Sequence, residues 1–325
     1  MQALAGQMHT HSVEEQSDVV DPWQVMLRQV SPGSFQGTMQ FARIGEFLIY
    51  RDNWSQRTVA TGALPADYFA VAGPARPDSG IDWCNAELNT QRLALALPDA
   101  ELDFIIPSQT PHLVLLMPAH YLKSWLGEEA ASSLLLSKDH HYQCDPQLGG
   151  RFLNRLQWML DKYVSQPALL TDPGEQRAAR NYLLDELAEL DPSPHQNSPN
   201  IRRNSQHLAL RRALDYGESL RASISVPEFA RKTGINQRSL ELLLRKTLGI
   251  TPRQYLYRQR LHGVRRELQL RQPAERCVTK VATSWGFSEL GRFAGDYKHL
   301  FGELPSTTLK KHRASELVRL SDILH

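Results

Sequence analysis

Cysteine is nearly missing: Cys84, Cys144 and Cys277 are all that 325 residues contain. They are odd in number, far apart and without metal-ligand spacing, which argues against a disulfide framework or a zinc site and fits a reducing compartment. Long apolar runs are missing too. No stretch of about 18 apolar residues exists to span a bilayer. Residues 1–20 lack the charged start and apolar core of a signal peptide, so a soluble, cytoplasmic protein with no membrane partner is expected. The same residues show no apolar periodicity and read as a disordered polar tail, in which His9 and His11 are tail residues rather than metal ligands. Between Phe35 and His120 the only histidines are His112 and His120, too few for a cluster of histidines and a carboxylate around a metal. No catalytic residue, metal or cofactor is assigned, and the chain is not read as an enzyme.

Net charge is the last thing in short supply, and its absence is a cancellation. The chain carries 37 Lys and Arg against 35 Asp and Glu, or +2. From Ile201 to His325 the count is 24 against 11, or +13, leaving 13 against 24, or −11, in residues 1–200. A strongly basic segment joined to an acidic one is the electrostatic footprint of a nucleic-acid reader tethered to something else.

Within the basic segment one small pattern occurs twice. Phe229-Ala230, three residues, Gly234-Ile235, an amphipathic stretch to Gly249, then Pro252 and Leu256 is echoed by Val281-Ala282, three residues, Gly286-Phe287, a stretch to Gly302, then Pro305 and Leu309. Each copy reads as helix, tight turn at glycine, helix and glycine stop. Alanine lets two helices approach, glycine supplies the turn, and Ile235 or Phe287 plugs the space beneath. Leu240, Leu243 and Leu244, then Phe293 and Tyr297, anchor the second helices at helical spacing. Between the copies, Arg253 to Leu270 predicts a helix ~27 Å long, close to the ~34 Å between successive major-groove faces.

The segment from Gln206 to His312 resembles the C-terminal DNA-binding domain of the AraC/XylS family of bacterial transcription regulators. The matching residues are Ala230 and Gly234, Gly249 with Pro252, Arg260 with Leu261, and the run from Trp285-Gly286-Phe287 through Phe301-Gly302-Glu303-Leu304-Pro305. Gly263 departs from the pattern, standing where alanine is usual, and is expected to soften the connecting helix. A narrower likeness, to ethanolamine-operon regulators, rests on Trp23, Pro32-Gly33, Phe35, Gly37, Val264 to Leu268 and Leu290 to Ala294. It does not transfer an effector.

The resemblance implies that the first recognition helix presents Gln237, Arg238, Ser239, Glu241 and Leu242 to DNA, and the second Ser288, Glu289, Leu290, Gly291, Arg292 and Gly295. Arg238 is the leading base reader, because a guanidinium grips guanine O6 and N7 together. Arg245, Lys246, Arg253, Lys298 and Lys310 are phosphate-contact candidates. The second helix is poor in long polar side chains and is expected to position more than it specifies. Promoter DNA is the implied partner, with a homodimer, RNA polymerase, transcriptional activation and a place on the nucleoid among the expectations. The DNA-repair methyltransferases sometimes fused to such readers are excluded, since neither Cys84 nor Cys144 lies in their Pro-Cys-His-Arg stretch.

The N-terminal part reads differently, making the whole chain α+β. Met39–Phe41, Glu46–Tyr50, Tyr68–Val71, Leu93–Leu97, Asp103–Ile106 and His112–Leu116 are short apolar runs broken by turn residues, which argue for a sandwich or small barrel. The resemblance implies a cupin-like sensor barrel. Arg51, Trp54, Arg57 and Trp83 are its ligand-binding candidates, and the arginines flanking Trp54 point to an anionic or aromatic small-molecule effector. Two apolar stripes follow, Phe152-Leu156-Met159-Tyr163 and Ala179-Leu183-Leu187-Leu190, forming a helical hairpin at about 147–190 that packs on its own barrel or, as the resemblance favours, on a twin. The expected boundaries are a tail at 1–20, a sensor and dimerisation domain at 21–190, a linker at 191–204 and a DNA-binding domain at 205–315. A ligand-independent dimeric DNA-binding factor, whose barrel only mediates protein interaction, is the alternative.

Overall fold

The computed structural model describes residues 4–77, 79–84, 86–137, 140–190, 209–217, 223–270, 277–310 and 318–324. They form two compact units, one drawn from Met1–Leu27, Gln36–Ser198 and Val318–His325, the other from Arg28–Phe35 and Pro199–Leu317. The expected linker at 191–204 lies outside the described residues. Among the described residues no helix is long and apolar enough to cross a membrane.

The N-terminal unit is built on two antiparallel sheets. One orders β1 (Ala5–Thr10), β3 (Gly37–Ile44), β4 (Phe47–Trp54), β11 (His112–Pro118), β6 (Tyr68–Pro74), β9 (Arg92–Ala96) and β12 (His141–Gln143). The other orders β2 (Gln24–Gln29), β5 (Thr58–Ala63), β10 (Glu101–Ile106), β7 (Asp82–Trp83) and β8 (Ala86–Glu87). Neither sheet closes, so the expected barrel is realised as two open sheets. The β3–β4 hairpin pairs Ile44 with Phe47 across a two-residue turn, and Gly45 supplies the positive φ, 62°, that such a turn needs.

Residues 5–19 correct the expectation of a disordered tail. Ala5–Thr10 pairs with Ala42–Gly37 along the edge of the larger sheet, and α1 (Val13–Val19) follows. Ser12 caps α1, its hydroxyl accepting from the Glu15 amide at 3.1 Å, while the Glu15 carboxylate accepts from the His11 amide at 2.7 Å. The strand carries little apolar periodicity because its ladder with β3, not its side chains, holds it. His9 contacts Gln7 at 2.9 Å.

α2 (His120–Leu126), α3 (Glu128–Ser137), α4 (Pro146–Ser165), a 3₁₀ turn (Pro167–Thr171) and α5 (Pro173–Glu189) complete this unit. Asp145 and Asp172 cap α4 and α5, each ahead of a proline in the first turn. Both predicted apolar stripes are buried in one core with Ile49, Phe69, Val71, Leu95 and Leu115 of the larger sheet. The hairpin therefore spends its apolar faces on its own unit, and a dimer contact through it must use the outer surface, where Trp158 is 57% exposed.

The C-terminal unit contains α6 (209–217), α7 (Val226–Thr233), α8 (Gln237–Leu248), α9 (Pro252–Leu270), α10 (Val278–Ser284), α11 (Leu290–Phe301) and α12 (Pro305–Lys310); α13 (Leu320–Leu324) belongs to the other unit. Phe229 stacks on Tyr255 in the first half of the C-terminal unit, with centroids 5.9 Å apart. Leu261, Val264, Val281, Trp285, Phe293 and Tyr297 are among the core residues of the second.

The unit also contains a strap from far upstream, Arg28–Phe35. The Gln29 amide nitrogen lies 2.6 Å from the carbonyls of Gly33 and Leu300, the Gly33 amide donates to the Leu300 carbonyl at 3.1 Å, and His262 Nε2 lies 2.9 Å from the Gln29 carbonyl. The Arg258 guanidinium donates to the Val30 carbonyl. Carbonyls at the end of α11, which have no partner within the helix, are met by this strap.

Gly263 also has a packing role in α9. A Cβ there would lie 2.2 Å from the Trp285 ring, and that ring is fixed by a 2.7 Å bond from its indole N–H to the Glu267 carboxylate. The missing side chain makes room for the indole. Gly263→Ala should destabilise the C-terminal unit by ~1–3 kcal/mol through overpacking, more than the ~1 kcal/mol that alanine's helix propensity returns. Urea unfolding of the full chain checks this, and a variant as stable as the parent would refute it.

Candidate nucleic-acid interface and buried cavity

The two motifs of the C-terminal unit share one geometry. α7 starts at Ser225, whose hydroxyl accepts from the Glu228 amide at 3.3 Å, and ends at Gly234 with φ 69°. The Ile235 amide then donates to the Ala230 carbonyl at 3.1 Å, and Asn236 caps α8 by accepting from the Ser239 amide at 2.8 Å. In the second copy Gly286 has φ 78°, and the Phe287 amide donates to the Ala282 carbonyl at 3.1 Å. Gly249 and Gly302 stop α8 and α11 at the same φ, 73°. The sequence repeat is thus a repeat of backbone hydrogen bonds.

Each second helix buries one face and bares the other. Leu240, Leu244, Thr247 and Leu248 are buried on α8, and Phe293, Tyr297, Leu300 and Phe301 on α11. Gln237, Arg238, Ser239, Leu242, Arg245 and Lys246 are exposed, with Glu241 half-buried. So are Ser288, Glu289, Leu290, Gly291, Arg292, Gly295 and Lys298. Arg245 is held by Glu241 at 2.7 Å and Arg292 lies 3.7 Å from Asp296; ion pairs this exposed are worth little. Open space surrounds Gly291 and Gly295, so the second helix offers a smooth face.

A groove of about 790 Å³ separates the motifs, lined by Ser225, Arg253, Arg260, Ser288, Arg292 and His299 among others. Arg260 lies 4.8 Å above the Phe287 ring and 5.3 Å from that of Tyr257, and donates to the Gly286 carbonyl at 3.3 Å. A guanidinium fixed in this way is a pre-organised anion donor. Sequence reading placed Arg260 in the family pattern but not among the contacts, because its position beside the second turn is a tertiary fact.

The N-terminal unit holds a second site, a cavity of about 40 Å³ between its sheets, room for a few water molecules. Trp23, Tyr50, Asp52, Trp54, Trp83, Phe104 and His112 line it with aliphatic residues. Trp83 stacks on Phe104 at 5.1 Å and meets Trp23 edge-on at 6.4 Å, while Trp54 meets His112 edge-on at 5.1 Å. Asp52 is 1% exposed, and the Gln16 amide, itself bonded by Thr10 at 2.7 Å, donates to its two oxygens at 3.1 and 3.2 Å. The buried indole N–H groups of Trp23 and Trp54 lie beside Tyr50 and Asp52 without completing a hydrogen bond of normal geometry.

Of the four residues proposed for ligand binding, Trp54 and Trp83 line this cavity, and Arg51 and Arg57 do not. Arg51 reaches Gln40 and lies 3.0 Å from Asp161. Strand periodicity explains the split: Tyr50, Asp52 and Trp54 share one face of β4, and Arg51, an odd step away, takes the other. The cavity wall contains no arginine or lysine.

Burial sets the charge states of Asp52 and His112 in the cavity wall. Desolvation pushes the Asp52 carboxyl up to about 8, against the opposing hydrogen bonds, and pulls His112 down to about 4. Asp52, raised from about 3.8, contributes stability fully below that value and loses it as pH rises through about 8. His112, depressed from 6.5, contributes above that value and loses its contribution as pH falls through about 4. The two slopes oppose each other up to about pH 6.5, and above it Asp52 acts alone. Urea unfolding followed by tryptophan fluorescence should therefore show roughly 1–2 kcal/mol less stability at pH 8 than at 6.5, and Asp52→Asn should flatten that decline. An equal decline in the variant would sink the assignment to Asp52.

Comparison with known proteins bears most directly on the C-terminal unit, although one match, of 211 residues, is longer than that unit. Residues 229–311 match a helix-turn-helix domain family. The chain is 29% identical over 211 residues to the probable thc operon regulatory protein of Rhodococcus erythropolis, covering 63% of this chain and 62% of that protein. It is 40% identical over 96 residues to XylDLEGF operon transcriptional activator 2 of Pseudomonas putida, covering 30% of this chain and 61% of that protein. It thus spans less than two thirds of the length of either. A solved structure, a probable AraC family transcriptional regulator from Rhodopseudomonas palustris CGA009, is 35% identical, covering 31% of this chain and 94% of that one with a TM-score of 0.29. The C-terminal unit thus carries a helix-turn-helix domain similar in sequence to those of operon regulatory proteins.

Proposed function

We propose that this protein is a sequence-specific transcription regulator that sets α8 and α11 into successive major-groove segments of promoter DNA. The observation that carries this reading is the doubled turn, with identical hydrogen bonds in both copies and an exposed polar face beyond each. The +13 charge of residues 201–325 supplies sequence-independent attraction to phosphates. Arg238 and Gln237 read bases, Arg245, Lys246 and Lys298 contact phosphates, and the groove around Arg260 follows the backbone between the two segments. The relatives' names as operon activators favour activation, with RNA polymerase the natural partner.

The cupin-like N-terminal unit senses a small molecule in this proposal and pairs with a second copy. A cavity with two incompletely bonded indole N–H groups and a buried carboxyl has polar atoms placed for a ligand to satisfy, and at about 40 Å³ it must open around any ligand larger than water. This favours sensing over a barrel that only mediates protein interaction. The arginines that pointed to an anionic effector stand off the cavity, and aromatic walls remain. The narrower likeness to ethanolamine-operon regulators leaves the effector open, since its residues other than Trp23 and Gly37 fall in the C-terminal unit.

Two substitutions separate base reading from phosphate contact. Arg238→Ala should cost ~1–3 kcal/mol on specific DNA and relax preference at one base pair. Lys298→Ala should weaken all sequences alike and reduce the salt slope by about one. Titrations of the full chain on selected and random duplexes check both, and equal losses on the two duplexes for Arg238→Ala would remove it as a base reader.

A further inference from the structure

One side chain on the recognition face of α8 is poorly suited to water. Leu242 is 61% exposed, the most of any large apolar residue described. It lies one turn beyond Arg238 and next to Glu241, whose carboxylate is held by Arg245. Leu240, Leu244 and Leu248 face the other way and fill the core, so Leu242 is surplus to the packing of its own unit. The second motif has no counterpart: aligning Gly234 with Gly286 or Gly249 with Gly302 puts Ala294 or Gly295 at this place.

A solitary surface leucine is ordinary on a general surface. On a helix laid in a major groove it faces base edges, and there the one apolar group is the C5-methyl of thymine. Resting on the reading of α8 as a recognition helix, we infer that Leu242 specifies a thymine by packing against its C5-methyl group. Arg238 and Leu242 are about 6 Å apart along the helix axis, close to two base-pair steps of ~3.4 Å. The thymine therefore lies within two base pairs of the guanine that Arg238 grips, and the pair of contacts reads a short guanine-thymine element in one half of the operator.

The test uses the full chain and duplexes selected by it from a random-sequence library. In the selected duplex each thymine is replaced singly by deoxyuridine, which removes only the methyl group. Binding should weaken about fourfold, the worth of one buried methyl, at one thymine within two base pairs of the guanine lost to Arg238→Ala. Leu242→Ala should bind the thymine and uracil duplexes equally. The inference is overturned if no single methyl matters to the parent chain, if the sensitive thymine lies elsewhere, or if the methyl dependence survives in Leu242→Ala. The uracil scan needs no substitution at Leu242, so if Leu242→Ala misfolds, the absence of a methyl effect or its position away from the Arg238 guanine still overturns the inference. Failure to select any sequence would overturn base reading by α8 altogether, whereas a selected sequence indifferent to uracil overturns only the role of Leu242.

Discussion

What the C-terminal unit shows to DNA depends on one backbone hydrogen bond made twice, from the amide of Ile235 or Phe287 to the carbonyl of Ala230 or Ala282. The bond closes only if the intervening residue turns through positive φ, and Gly234 and Gly286 do so at 69° and 78°. A side-chain-bearing residue is disfavoured there by contacts with its own backbone. With the turn closed, the angle of α8 on α7 and of α11 on α10 follows, and so do the choice of buried face and the direction of every exposed side chain. The solvent-facing chemistry is free to vary because none of it holds the turn.

The two copies use that freedom differently. α8 is capped by a side chain, Asn236, and carries Arg238, Glu241, Leu242 and Arg245 on its outer face. α11 has no side-chain cap and bares Gly291 and Gly295. Long side chains tell bases apart, while a smooth helix tolerates many sequences and lets the duplex come close. Under the proposed function, an operator would have one half with strict sequence demands and one half defined more by shape.

The helical half was legible in the sequence because its signals are local. Glycine stops, 3.6-residue spacing and capping residues set α7 to α12 without reference to the rest of the chain. Long apolar strands were legible for the same reason, and Tyr68, Leu93, Asp103 and His112 fall within β6, β9, β10 and β11. The less legible features depend on pairing across distance. β1 carries almost no apolar alternation, although the Ser12 and Glu15 pair, three residues apart, was a readable capping signal for the helix after it. The faces of β4 were readable in principle: alternation separates Arg51 from Trp54, and grouping them by proximity in sequence put a surface arginine beside a buried indole. Gly263 looked like a weakness because the Trp285 ring that fills its place comes from another helix. No local rule announces Asp52 as a cavity residue, since a carboxyl in a strand is ordinarily at the surface.

The strap formed by Arg28–Phe35 bears on how such a chain can be dissected and recombined. The DNA-binding unit is discontinuous in sequence, and Gln259, His262 and Phe301 are buried in a unit that includes this upstream segment. A fragment beginning anywhere after Leu190 would carry both motifs but would lack Gln29, Val30 and Gly33, which meet His262, Arg258 and the end of α11. The helix-turn-helix pair of this chain is thus packed against a segment that a simple C-terminal truncation removes. A hybrid that joins the pair to another N-terminal half would replace those contacts with whatever that half places against residues 258–262 and the end of α11.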